Sequence, residues 1–283
     1  MGLWLLMSIL GAQQAAARDI DEYREKGVTV ALAEQWHPYS FVDEMGRSDG
    51  FLVDYWEIWS QKTGIPVKFK MNVWKDAIEH VANGESDIHC GLFFTDTRDE
   101  ILDYVKPIVA LKGVFVVNKG HGLTCDTVLE SHAVGVSSKG YAETYLQKNH
   151  PQTELKKYIT TNLLFDALLA DIVQGLAIDY GTYVYERKHR GVEGRVEICQ
   201  DIYEQDLKAA VKEGNTPLLR IVEAGISEIG TNERERLVSK WFIEQNSSSN
   251  WSTYAVPVSV ALLIILLGVY LSYRFSSSRR YKR

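Results

Sequence analysis

The chain has 283 residues, with 31 Lys and Arg against 37 Asp and Glu, and three cysteines. A net charge of −6 argues against a nucleic-acid partner and against adhesion to anionic lipid. Three cysteines are too few for a disulfide scaffold, and the spacing of Cys90, Cys125 and Cys199 matches no metal site.

Leu3 to Leu10 is apolar and Ala15 to Ala17 supplies small residues before Arg18, the pattern of an export signal over residues 1–17 without its usual basic start. Val28 to Ala33 reads as a strand. Gly50 to Lys62 reads as a helix whose Leu52, Tyr55, Trp56 and Trp59 form one stripe. Val67 to Met71 alternates as a half-buried strand. Trp74, Ala77, Ile78 and Val81 fall at i, i+3, i+4 and i+7 of a second helix. Gly84 ends it, glycine being the residue that enters the left-handed region without penalty.

Asp87 to Phe93 then reads as an apolar strand that delivers Arg98 at its exit. In open α/β folds ligands sit beyond the carboxyl ends of strands, and a guanidinium there is a fork for a carboxylate. Further strands are expected at Gly113 to Val117, Ala133 to Val136, Gly175 to Ile178 and Val196 to Ile198, with a helix from Leu163 to Val173. Pro217 opens a helical section that runs through Trp241. The alternation implies an α/β architecture.

Residues 246–253 form a polar linker, and residues 254–273 carry no charge. At about 1.5 Å per residue such a helix spans roughly the hydrocarbon thickness of a bilayer. Trp251, Tyr254, Tyr270 and Tyr273 bracket it, and residues 274–283 hold five basic side chains and no acid, which sets that end in the cytoplasm. The expectation is a single-pass protein of the inner membrane with its ectodomain in the periplasm. That ectodomain has 26 Lys and Arg against 37 Asp and Glu, a net charge of −11.

Trp74, Gly84-Glu-Ser-Asp87 and Thr95-Asp-Thr-Arg98, in this order and spacing, resemble the family 3 extracellular solute-binding proteins. The wording Gly-Glu-x-Asp-Ile-His-x-Gly-Leu-Phe is similar to the membrane-tethered sensor branch of that family. The resemblance runs from about Val28 to Gln245. It implies a bilobed periplasmic-binding-protein type II fold with a cleft between two α/β lobes. Lobe 1 would be 26–112 with 202–245, and lobe 2 would be 113–201.

The resemblance also implies roles. Arg98 matches the arginine that holds the ligand carboxylate. Trp36, Pro38 and Tyr39 match an aromatic-x-Pro-aromatic element whose first ring stacks on the ligand, and Trp74 matches a second aromatic across the cleft. Both tryptophans have the alternative of packing inside lobe 1. Asp179 matches the acid that takes an α-amino group, although an Asp ahead of a helical run is also a common N-cap. The family's hydroxyl after the strand at Val134 to Val136 is absent; Ser137 and Ser138 stand nearby in its place. Phe93 and Gly91 replace small polar residues and reshape the wall. Cys125 and Cys199 flank lobe 2, placed either to bond in an oxidising compartment or to remain free thiols. Cys90 and His89 read as core residues of their strand.

The function so implied is a tethered receptor that closes on a small carboxylate-bearing ligand, an amino acid being the ligand the family suggests. It would need no cofactor and would pass signal or solute to a separate signalling protein or an ABC permease. The competing reading is a periplasmic enzyme on the same fold, a dehydratase acting on a cyclic carboxylic acid with Glu34 or Asp179 as general acid. The chain has no His-Glu-x-x-His, no Gly-x-Ser-x-Gly and no phosphate-cradling glycine loop.

Overall fold

The computed structural model describes residues 20–243. The expected export signal, linker, membrane span and basic tail lie outside the described residues. Among the described residues no helix is long and apolar enough to cross a membrane.

The strands are β1 (Val28–Ala33), β2 (Gln35–Trp36), β3 (Ser40–Val42), β4 (Ser48–Asp49), β5 (Val67–Asn72), β6 (Ile88–Leu92), β7 (Leu102–Asn118), β8 (Val134–Ser137), β9 (Leu155–Tyr158), β10 (Gly175–Asp179) and β11 (Val196–Lys212). One mixed sheet runs in the order β5-β1-β6-β11-β7-β10-β8-β9, and β2-β3-β4 form a small antiparallel sheet. Helices connect the parallel neighbours, so the α/β expectation holds.

Two strands are much longer than their apolar runs suggest. β7 and β11 each have 17 residues, where Gly113 to Val117 and Val196 to Ile198 are the segments legible as strand. They pair antiparallel along nearly their whole length, from Val196 opposite Asn118 to Lys212 opposite Leu102. Charged residues such as Lys106, Lys112, Glu204 and Asp206 are tolerated in between because only their neighbours face a core. Four register shifts interrupt the pairing of β11, between Ile198 and Ala210. Bulges of this kind bend and twist a ribbon, here along the stretch that passes from one half of the sheet to the other.

Each half carries its own apolar core on both faces of the sheet. In the first, Val30 and Leu32 of β1 pack with Trp56, Trp59, Leu218 and Val222, while Ala31 points the other way to Ala77, Val81 and Leu92. In the second, Val114 and Val116 of β7 meet Leu164, Phe165 and Leu176, while Phe115 and Val117 meet Val134, Val136 and Leu146. The period-two alternation of strands thus builds two cores from each segment.

Three helical expectations shift. The helix read from Leu163 to Val173 runs Thr161–Leu169, because Thr160 accepts the Leu163 N–H at 3.3 Å and Asp171 adopts φ 56° beyond its end. The helix at Gly50 runs Phe51–Thr63, closed by Gly64 in the left-handed conformation. The section from Pro217 is two α-helices, Thr216–Glu228 and Thr231–Val238, broken at Gly230, whose N–H is accepted by Glu233 Oε2 at 3.0 Å; a π-helical turn, Ser239–Ile243, continues the second past Trp241. Cys125 and Cys199 form a disulfide with Cα atoms 5.8 Å apart, while Cys90 is a buried free thiol.

Candidate functional site

The carboxyl ends of four strands converge on one cleft. β1 leads to Glu34, β6 to Phe93, β8 ends at Ser137 and β10 ends at Asp179, and all four residues line a cavity of about 780 Å³ including its mouth. Such a position beyond strand ends is where open α/β sheets bind ligands. Trp36, Trp74 and Ser138 line it as well. Tyr39 does not: it is 1% exposed, beneath Trp36 at a ring distance of 4.6 Å, and its hydroxyl packs against Gly181.

Asp179 occupies the N-cap position of helix Tyr180–His189 and makes no capping hydrogen bond. Its carboxylate turns into the cleft instead. Trp36 donates its indole N–H to Oδ2 at 2.9 Å, and the Tyr203 hydroxyl donates to Oδ1 at 3.3 Å. Burial pushes the Asp179 pKa up to about 6, and the bonds from Trp36 and Tyr203 hold it from rising further. No cation stands among the groups that set it.

Tyr203 reaches Asp179 because of a glycine. Gly113 of β7 lies opposite Tyr203 of β11, and a Cβ on Gly113 would fall 2.1 Å from the tyrosine ring. Only a residue without a side chain leaves room for the ring to lie across the strand. Tyr203, Tyr141, Gln35 and Thr182 were not singled out from the sequence, yet all line the cavity. Gln35 Oε1 and Thr182 Oγ1 are buried and have no hydrogen-bond partner among the described residues. The alternation in β11 carries no mark of Tyr203's role, which depends on register with Gly113.

Arg98 sits on the short helix Asp96–Asp99, whose first turn is fixed by Thr95 Oγ1 accepting the Arg98 N–H at 3.3 Å. The side chain is 7% exposed and lies outside the lining of the cavity. Its Nη1 donates to the Phe93 carbonyl at 2.6 Å and its Nη2 to the Lys139 carbonyl at 2.7 Å. The guanidinium carbon is 5.8 Å from the centre of the Trp74 ring. The expected carboxylate fork therefore holds backbone oxygens in this structure.

Lys139 is the acceptor for two side chains. Its carbonyl also takes the Trp74 indole N–H at 3.1 Å. Lys139 has φ 60°, the left-handed region that an L side chain seldom adopts, and this turns the carbonyl toward both donors. Glu143 Oε2 accepts the Lys139 N–H at 2.7 Å, and Lys157 pairs with Glu143 Oε1 at 2.7 Å, so the turn is held from behind. Thr161 adds a further link, donating to the Gln35 carbonyl at 2.9 Å. The groups on opposite walls of the cleft thus satisfy one another.

His89 is fully buried in β6, edge-on to Trp74 at 5.4 Å, and its pKa is pushed down to about 3 by burial and by Arg98. It lies under the site wall and outside the cavity lining.

Residues 28–244 match the model of the bacterial extracellular solute-binding proteins, family 3. The virulence sensor protein BvgS of Bordetella bronchiseptica is 22% identical over 274 residues, covering 90% of this chain. The chain spans only 22% of that sensor's own length. A probable histidine-binding protein of Neisseria gonorrhoeae is 20% identical, with 87% of this chain and 94% of the relative covered. Among solved structures, a solute receptor for L-cysteine from Neisseria gonorrhoeae superposes with a TM-score of 0.73 at 22% identity, over 80% of this chain and 94% of the receptor. The fold is that of the periplasmic binding proteins, and the chain belongs to the bacterial extracellular solute-binding proteins of family 3.

Proposed function

We propose that this chain is a receptor that captures a small solute of amino-acid size in the cleft between two lobes and is tethered to the inner membrane by residues 254–273. The lobes are 26–112 with 202–245, and 113–201, with the bulged middle of β7 and β11 as the connection that bends. The observation that carries the reading is the cavity at the strand ends, whose facing walls are joined by Trp36 to Asp179 and by Thr161 to the Gln35 carbonyl. Such links exist only when the walls are close, so a solute that fits between them favours the closed form through contacts the open form lacks.

In this reading Asp179 takes a ligand amino group, Trp36 and Trp74 supply flat apolar walls, and Ser137 and Ser138 offer hydroxyls. A ligand that carried a carboxylate would reach Arg98 only by displacing the Lys139 carbonyl, whereas a ligand without one leaves that bond in place. Closure is passed to a membrane partner, a signalling protein or a permease.

Thermal unfolding of the purified protein against amino acids, small carboxylates and amines tests the reading. A ligand at about 100 times its dissociation constant adds roughly 2.7 kcal/mol of stability. A folded protein whose midpoint moves with no compound of these classes is not a receptor for them.

A further inference from the structure

The cavity has an electrostatic bias that the family resemblance does not predict. Its charged lining residues are Glu34 and Asp179, both acids; among the described lining residues there is no Lys, Arg or His. The nearest guanidinium, Arg98, stands outside the lining with both terminal nitrogens on backbone carbonyls. The Lys139 side chain is exposed and lies outside the lining, although Ser138 and Gly140 on either side of it belong to it.

The neutral lining points the same way. Gln35 Oε1 is a buried acceptor without a donor, and Thr182 Oγ1, at 0% exposure, has no partner among the described residues. Five aromatic residues, Trp36, Trp74, Phe93, Tyr141 and Tyr203, belong to the walls, and Trp36 and Trp74 stand at an edge-to-face angle of 64° with centroids 5.1 Å apart. Ring faces attract cations and carboxylates attract them more. An anion here would be desolvated beside two acids, which disfavours it on both counts.

From this geometry we infer that the solute is an organic cation, an alkylamine or a guanidinium, held on Asp179 between aromatic rings and needing no carboxylate of its own. The inference rests on the receptor reading and narrows its ligand class. An ammonium on Asp179 gives the carboxylate the counter-charge it lacks, and its remaining N–H groups suit the unpaired acceptors Gln35 Oε1 and Thr182 Oγ1. The aromatic walls exclude water around the pair, so the ion pair is stronger than on a surface.

Matched pairs separate the two ligand classes. Calorimetric titration of the full chain with agmatine against arginine, histamine against histidine, and cysteamine against cysteine compares the same head with and without a carboxylate. At least one amine is expected to bind about tenfold or more tightly than its amino acid. Asp179→Asn, folded as judged by a cooperative thermal transition, is expected to weaken that amine by about 100-fold, the loss of a buried ionic partner. An amino acid that binds more tightly than its own amine overturns the cation inference and leaves the receptor reading standing. An amine that binds Asp179→Asn undiminished also overturns it. A folded protein that binds neither member of any pair overturns both.

Discussion

Trp36 donates its indole N–H to Asp179 across 143 residues of sequence, at 2.9 Å. The bond joins the hairpin after β1 to the end of β10, and its acceptor is a partly buried carboxylate that has no counter-charge among the groups setting its pKa. On the proposed receptor reading, one residue serves closure and ligand recognition together, at the expense of unliganded stability.

Replacing that carboxylate separates the two. With its folded pKa raised from 3.8 to about 6, ionised Asp179 destabilises the fold at pH 7 by roughly 1–3 kcal/mol. Asp179→Asn keeps an acceptor for Trp36 and removes the charge. The variant is expected to melt higher than the parent without ligand at pH 7 and to lose ligand stabilisation. A lower melting temperature would show that the charge is compensated by a group other than Trp36 and Tyr203.

The pH dependence has opposing parts. His89 and His37 are lowered, to about 3 and about 4, chiefly by burial, so the fold disfavours their protonation. Their contribution is full above pH 6.5 and is lost as pH falls toward those values. Asp179 is raised, so its contribution is full below 3.8 and is lost as pH rises through about 6. Two histidines outweigh one acid, and stability falls between pH 6.5 and 4. Urea midpoints across that range, repeated with His89→Gln, should show a shallower decline in the variant; an unchanged slope would remove His89 from the account.

Arg98 is a clasp in this structure. Arg98→Ala leaves the Phe93 and Lys139 carbonyls with weaker company, Tyr104 at 3.3 Å and Trp74 at 3.1 Å. The expected loss is about 2–3 kcal/mol in urea unfolding of the unliganded protein. Arg98→Lys should recover only part of it, because a point ammonium does not span two carbonyls as the planar fork does. An unliganded Arg98→Ala as stable as the parent would mean the clasp adds nothing to the fold.

Gly113 positions Tyr203, so Gly113→Ala should act at a distance. The added methyl meets the tyrosine ring and pushes the hydroxyl from Asp179, costing about 1–3 kcal/mol by overpacking. Adding Tyr203→Ala to the variant should restore part of that stability, a coupling read by a double-mutant cycle. Additive losses would show that the two residues act independently.

Much of this was legible from residue pattern. The apolar runs of β1, β6, β8 and β10 mark strands because both faces of the sheet are buried there. The glycine stop at Gly84 holds, with φ 80°. The long strands were half hidden, since β7 and β11 carry charges where only alternate residues are covered. At the site, the strand ends bring Glu34, Phe93, Ser137 and Asp179 to one cavity. What pattern could not carry is pairing between distant strands. Tyr203 depends on its register with Gly113, and the engagement of Arg98 depends on a carbonyl turned by the left-handed Lys139.

A crystal structure of the protein with its tightest-binding amine tests the account most directly. A ligand nitrogen is expected within hydrogen-bond distance of the Asp179 carboxylate, between Trp36 and Tyr203, with Arg98 still on the Lys139 carbonyl. A ligand bound outside this cavity, or one seated with its cation away from Asp179, would contradict it.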